Sequence, residues 1–130
     1  MNLIRKIQKA KPRTDRWKSQ RHLKHVRSHA CCACDSEVNI EAAHLRNETD
    51  GGMGRKPSDY FALPLCGGPE GCHARQHRVG EETLWSVIGK DPFAIIEALI
   101  ASSPMRSEIN GVRSDRELGI TGYYPDGSPY

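Results

Sequence analysis

Aromatic side chains make up only 6% of the 130 residues and hydrophobic ones 37%. A chain of this length forms one domain with a thin core, so these shortages favour a metal or disulfide staple. No apolar run approaches the roughly 18 residues of a membrane span, and Met1–Ala10 holds no apolar stretch of signal-peptide length. No membrane contact is therefore expected, and a cytoplasmic location is. Acidic residues are nearly missing from residues 1–28, where Asp15 stands against ten Lys/Arg, a net +9, while the other 102 residues carry −6. Clustered cations gain by displacing counterions from a polyanion. This arm is accordingly expected to meet nucleic acid, with Arg13, Arg16, Lys18 and Arg21 as candidate contacts.

The division expected along the chain is a basic N-terminal arm (1–28) with a short helix near Gln20–Val26, a zinc-stabilised domain (29–103) and an irregular C-terminal tail rich in Gly, Ser, Pro and Asp (104–130). Val38–Ala43 and Tyr60–Leu65 read as short strands, separated by a long loop that contains Gly51, Gly52 and Gly54. A helix is expected to begin near Cys72, and two more to cover Glu81–Ile88 and the stretch after Asp91-Pro92, an N-cap followed by proline at the first helical position. The fold class is α+β.

The five cysteines, Cys31, Cys32, Cys34, Cys66 and Cys72, are odd in number and lie in two groups, which argues against a secreted disulfide framework. Cys31-x2-Cys34 is a knuckle spacing, and Cys66 with Cys72 is the natural second pair. Four thiolates would hold a structural zinc at about 2.3 Å each and add to folding stability. Two alternatives stay open: Cys32 in place of Cys31, or one of His73 and His77 in place of Cys72. His73 and His77 stand four apart, on one helix face. They could share an ion, but the residue after His73 is Ala74 rather than the Glu of zinc-protease helices. A RING- or LIM-like reading lacks its second ligand set.

In order, Glu41-Ala42-Ala43-His44-Leu45-Arg46, Gly52-Met53-Gly54-Arg55-Lys56-Pro57-Ser58-Asp59, Leu63-Pro64-Leu65-Cys66 and Cys72-His73 resemble the HNH (His-Me finger) nucleases. Within them the chain looks most like the phage and prophage branch that includes the RecA-dependent nuclease Ref. The resemblance spans roughly residues 20–100. It implies a ββα-metal (His-Me finger) domain with flanking helices that cuts DNA phosphodiesters during phage or prophage recombination or processing in a bacterial host. A recombinase partner is implied by it alone. His44 matches the general base, Asp59 the middle position that tethers the loop, His73 a catalytic-metal ligand and His77 a second helix histidine.

The chemistry is coherent beside it: a neutral imidazole takes a proton from water near neutral pH. A divalent ion (Mg²⁺, Mn²⁺, Ni²⁺ or Zn²⁺) on His73 and His77 would stabilise charge on phosphate. Arg46 and Lys56 are further candidate phosphate contacts, with Arg55, Arg75 and Arg78. The chain departs from the family at Ala43, where many members carry a ligand. Either His73 and His77 suffice, or another group such as Glu41 or Asp50 helps, or His44 is itself the ligand. The competing reading is a catalytically inactive zinc-stabilised DNA-binding accessory module. His22, His25 and His29 read as solvated or phosphate-facing members of the arm.

Overall fold

In the computed structural model, the residues described are 16–52, 56–120, 124–126 and 128. Arg16–Arg106 forms one compact unit, and Ser107–Tyr130 lies outside it. The described elements are α1 (Gln20–Arg27), β1 (Ile40–His44), a 3₁₀ turn (Asp59–Phe61), β2 (Ala62–Cys66), α2 (Cys72–Val79), α3 (Glu81–Ile88), α4 (Pro92–Ala101) and α5 (Arg106–Glu117). β1 and β2 form a two-stranded antiparallel sheet in which Glu41 faces Leu65, Ala43 faces Leu63 and His44 faces Ala62. The chain is thus a small α+β protein, and β1, β2 and α2 follow one another as strand, strand, helix.

The core gathers Ala43, Leu45, Leu63 and Leu65 from the hairpin with Val26, Leu84, Trp85, Ile96, Leu99 and Ile100 from the helices. β2 is buried along four of its five positions, so it reads as a continuous apolar run rather than an alternation. Pro64 fits because its carbonyl meets the N–H of Cys32 (2.9 Å) at the outer edge of the strand, where a missing ladder donor is tolerated. Asp91 caps α4 as expected, accepting from the N–H of Phe93 at 2.9 Å. A buried bond of 2.8 Å from Trp85 Nε1 to Gln76 Oε1 ties α3 to α2.

Four expectations are corrected. The segment 1–28 is not an arm throughout: Trp17 is buried, Ser19 caps α1, and His22 and Val26 are fully buried. The short helix expected near Gln20–Val26 forms as α1; the dense positive charge hid the inward face of this stretch, where Trp17, His22 and Val26 are buried while Lys18, Arg21, Lys24 and Arg27 face out. Arg13 lies outside the described residues. The tail 104–130 contains helix α5, whose Ile109 is fully buried. Gly111 interrupts its pattern, yet Gly119 closes it in the left-handed conformation (φ 79°), with Ile120 N–H on Asp115 C=O and Gly119 N–H on Arg116 C=O, a Schellman closure. β1 starts at Ile40, and Val38 is 74% exposed; Asn39, at φ 55°, turns the chain before the strand.

His22 is neither solvated nor phosphate-facing. Its Nδ1 lies 2.8 Å from Ser103 Oγ, and its ring meets Trp17 edge-on at 5.7 Å. Burial, aided by neighbouring His25 and opposed by Asp59, lowers its pKa to about 4. An unfolded chain takes this proton near pH 6.5, the native chain only near pH 4. Between those values the unfolded state binds more protons, so stability falls as pH falls, by roughly 3 kcal/mol across the window. Urea denaturation from pH 7 to pH 4 should show this slope and should lose most of it in His22→Asn; equal slopes in both proteins would remove the assignment.

Candidate functional site

The cysteine set is built by three backbone turns. Residues 31–36 fold back on themselves: Asp35 N–H reaches Cys31 C=O (2.8 Å) and Cys31 N–H reaches Ser36 C=O (2.8 Å), with Asp35 at φ 64°. Cys66 ends β2. Gly68, at φ 89°, starts the return to α2, and a Cβ on Gly71 would lie 2.3 Å from Gly67 C=O and 2.4 Å from Cys66 C=O. Only glycine permits that approach, and it places Cys72 one turn behind Cys66.

The Sγ atoms of Cys31, Cys34, Cys66 and Cys72 all lie within 4.8 Å of one another, and those of Cys34 and Cys66 are 3.7 Å apart. A tetrahedral thiolate cage with bonds of about 2.3 Å has sulfur–sulfur edges near 3.8 Å. All five cysteines are free. Burial pushes the Cys31 thiol up, but the backbone N–H groups of Cys66, Cys34 and Ala33 outweigh it and bring the pKa to about 7. Cys72 N–H points at Cys66 Sγ (3.3 Å). Donors aimed at sulfur favour thiolate at Cys31, whereas burial and the neighbouring thiols push Cys72 up, and Cys34 is also raised. It is the gathering of the four sulfur atoms that lets these cysteines bind a structural metal such as zinc. Burial raises Cys32 to about 12; it stands outside the set, and neither His73 nor His77 enters it.

The histidines form a second constellation. Leu23, Arg27, Glu41, Ala42, His44, Arg46, Lys56, His73 and His77 line one open cleft of about 520 Å³. His44, at the end of β1, lies with Nε2 2.9 Å from Asp59 Oδ1. A carboxylate only accepts, so Nε2–H donates and Nδ1 keeps its lone pair. Asp59 also accepts from Ser19 N–H at Oδ2 (2.8 Å), and its own N–H donates to Trp17 C=O (2.9 Å). Burial works to raise its pKa, but the His44 and Ser19 hydrogen bonds and nearby His22 bring it below the ordinary carboxylate value.

Asp59 thus holds the imidazole of His44 as well as anchoring the loop. The loop clamp itself is Asp50, which accepts from Ser58 N–H (2.8 Å) and from Ser58 Oγ. Glu81 secures the loop's start, accepting from Arg46 N–H (2.8 Å) and Asn47 N–H (3.0 Å). On α2, the rings of His73 and His77 are 5.0 Å apart, and His73 Nδ1 lies 2.8 Å from Glu41 Oε1.

Ala43 is fully buried against the core and offers nothing to the cleft. Among the described residues the four cysteines are the one group of three or more ligand side chains already gathered around a point. His73 and His77 are therefore a donor pair, with imidazoles suited to several divalent ions. Of the expected phosphate contacts, Arg46 and Lys56 line the cleft, while Arg16, Lys18 and Arg21 do not. Arg27 was missed; its place one helical turn after Leu23 on α1 was the available signal. Among the described residues no helix is long and apolar enough to cross a membrane.

A family profile described as "Protein of unknown function (DUF968)" matches residues 7–85, a span that holds the four cysteines, His44, Asp59, His73 and His77. The chain is also similar to the uncharacterized protein YdfU of Escherichia coli (strain K12), with 34% identity over 55 residues. That match covers 42% of this chain and 16% of the relative's length. No solved structure matches the chain.

Metal analysis of the purified chain should find one tightly held ion, lost together with most helical signal in Cys34→Ser and Cys66→Ser and retained in Cys32→Ser. Normal folding of a metal-free chain would exclude the cage.

Proposed function

The chain belongs to the DUF968 family, and we propose that it is a metal-dependent DNA endonuclease of the HNH type, hydrolysing phosphodiester bonds from a zinc-stabilised ββα-metal domain. The observation that carries this reading is the meeting of His44, His73 and His77 on one cleft with Arg27, Arg46 and Lys56. Cations at a concave surface attract a phosphate backbone, and imidazoles beside it supply proton transfer and metal ligation.

In this mechanism the cysteine set holds zinc and fixes the end of β2 against the start of α2. The Asp59 carboxylate takes the Nε2 proton of His44 and orients the ring. His44 Nδ1 removes a proton from water as the oxygen attacks phosphorus in line. His73 and His77 would hold a divalent ion, which when bound supplies charge stabilisation at the phosphate and the leaving 3′ oxygen. Arg27, Arg46 and Lys56 would grip neighbouring phosphates; DNA as the polymer, like a recombinase partner, comes from the resemblance.

One observation favours the second reading, a zinc-stabilised DNA-binding module without turnover: the buried side chain of Ala43 leaves the cleft without a ligand there.

Plasmid nicking with Mg²⁺, Mn²⁺, Ni²⁺ or Zn²⁺ separates the two. The wild-type chain should nick, His44→Ala should lose about 100-fold or more, and Asp59→Asn should fall between. Nicking unchanged in His44→Ala would overturn the base assignment, and DNA binding with no nicking under any metal would establish the second reading. Arg27→Ala, Arg46→Ala and Lys56→Ala should each lower the slope of log affinity against log salt by about 0.9 for duplex DNA; unaltered slopes would place the DNA elsewhere.

A further inference from the structure

Gly67 raises a question that its backbone does not answer. It is absent from the positive-φ glycines, so its conformation is open to other residues, yet a Cβ there would sit 2.5 Å from Glu41 Cδ and 2.7 and 2.8 Å from the two carboxylate oxygens. The missing side chain makes room for the Glu41 carboxylate. That carboxylate, on an exposed position of β1, reaches over the end of β2 to His73 Nδ1 at 2.8 Å.

Stability gives a weak reason for such an arrangement. The Glu41 side chain is 48% exposed, and pairs of this kind contribute about 0–1 kcal/mol. The chemistry gives a stronger one. Among the described residues Glu41 is the one carboxylate lining the cleft. With Nδ1–H donated to it, His73 is fixed as the tautomer whose Nε2 lone pair is free for an ion.

We propose that Glu41 is the positioning residue for His73 as a metal ligand, and that Gly67 is the space this carboxylate requires. The proposal rests on the reading of the cleft as the seat of a divalent ion. In this chain the carboxylate acts through an imidazole from three residues before His44, while Ala43, directly before His44, is given over to the core.

The test uses the full, zinc-loaded chain and Mn²⁺ as probe, followed by electron paramagnetic resonance, with long-range ¹⁵N–¹H spectra of the histidine rings. His73 should appear as the Nδ1–H tautomer in the wild type and lose that preference in Glu41→Ala. Mn²⁺ affinity should fall 10- to 100-fold in Glu41→Ala. It should fall similarly in Gly67→Ala, which keeps the carboxylate but displaces it, with zinc content unchanged in both. The double variant should be no weaker than either single one, because both remove the same interaction. Glu41→Gln, which keeps an acceptor, should recover part of the affinity.

Affinity and tautomer unchanged in Glu41→Ala, while His73→Ala loses Mn²⁺, would overturn the proposal and leave the metal site standing. Independent, additive losses in Glu41→Ala and Gly67→Ala would also overturn it. Wild-type protein that takes up no Mn²⁺ would overturn the proposal together with the reading of the cleft beneath it.

Discussion

The gathering of four sulfur atoms from three turns is the constraint on which the rest depends. The chain is poor in apolar residues, and the sheet among the described residues is a pair of five-residue strands, which on its own is marginal in water. Cys31 and Cys34 come from the knuckle, Cys66 from the end of β2 and Cys72 from the first residue of α2. A metal bound there would join all three at one point. Because His73 follows Cys72 directly, the orientation of α2, and with it the placement of His73 and His77 beside β1, is set at the cage.

A second tie is polar. Asp59 accepts from the backbone ahead of α1 and from His44, while its own N–H reaches Trp17. Ser58, one residue earlier, accepts from Trp17 N–H at Oγ (3.0 Å) and is held by Asp50. A long glycine-containing loop thus ends in residues fixed from two directions. Satisfied buried networks of this kind are stiff, and a missing member is costly.

The hairpin, the helix at Cys72, the capped helix after Asp91 and the four-cysteine set were legible because each has a local signature: paired spacing, a cap, or an apolar run between turns. His44, His73 and His77 were also placed correctly on their elements, and the structure brings them to one cleft. What escaped has physical causes. The short helix near Gln20–Val26 was legible, but ten cations in the first 28 residues masked the few side chains it buries. His22 looked solvated because a histidine among lysines gives no sign of burial; the serine that meets it, Ser103, lies 81 residues away. α5 was hidden by Gly111 and by a polar composition that obscured the spacing of Met105, Ile109 and Val112. Glu41 could be named as a helper from sequence, but its partner depends on the register that sets Glu41 beside Leu65, and on the absence of a side chain at Gly67.

The cleft separates attraction from chemistry. Arg27, Arg46 and Lys56 outnumber the single carboxylate lining it, so with neutral imidazoles its field is positive before any ion arrives. In the proposed nuclease, affinity for a polyanion would therefore depend on side chains different from those that move protons. The two imidazoles have their own supports, Asp59 for His44 and Glu41 for His73, each carboxylate holding one ring nitrogen. Two carboxylates spent on orientation lessen the attraction for phosphate; in the proposed nuclease that cost is offset by an oriented base and an oriented metal ligand.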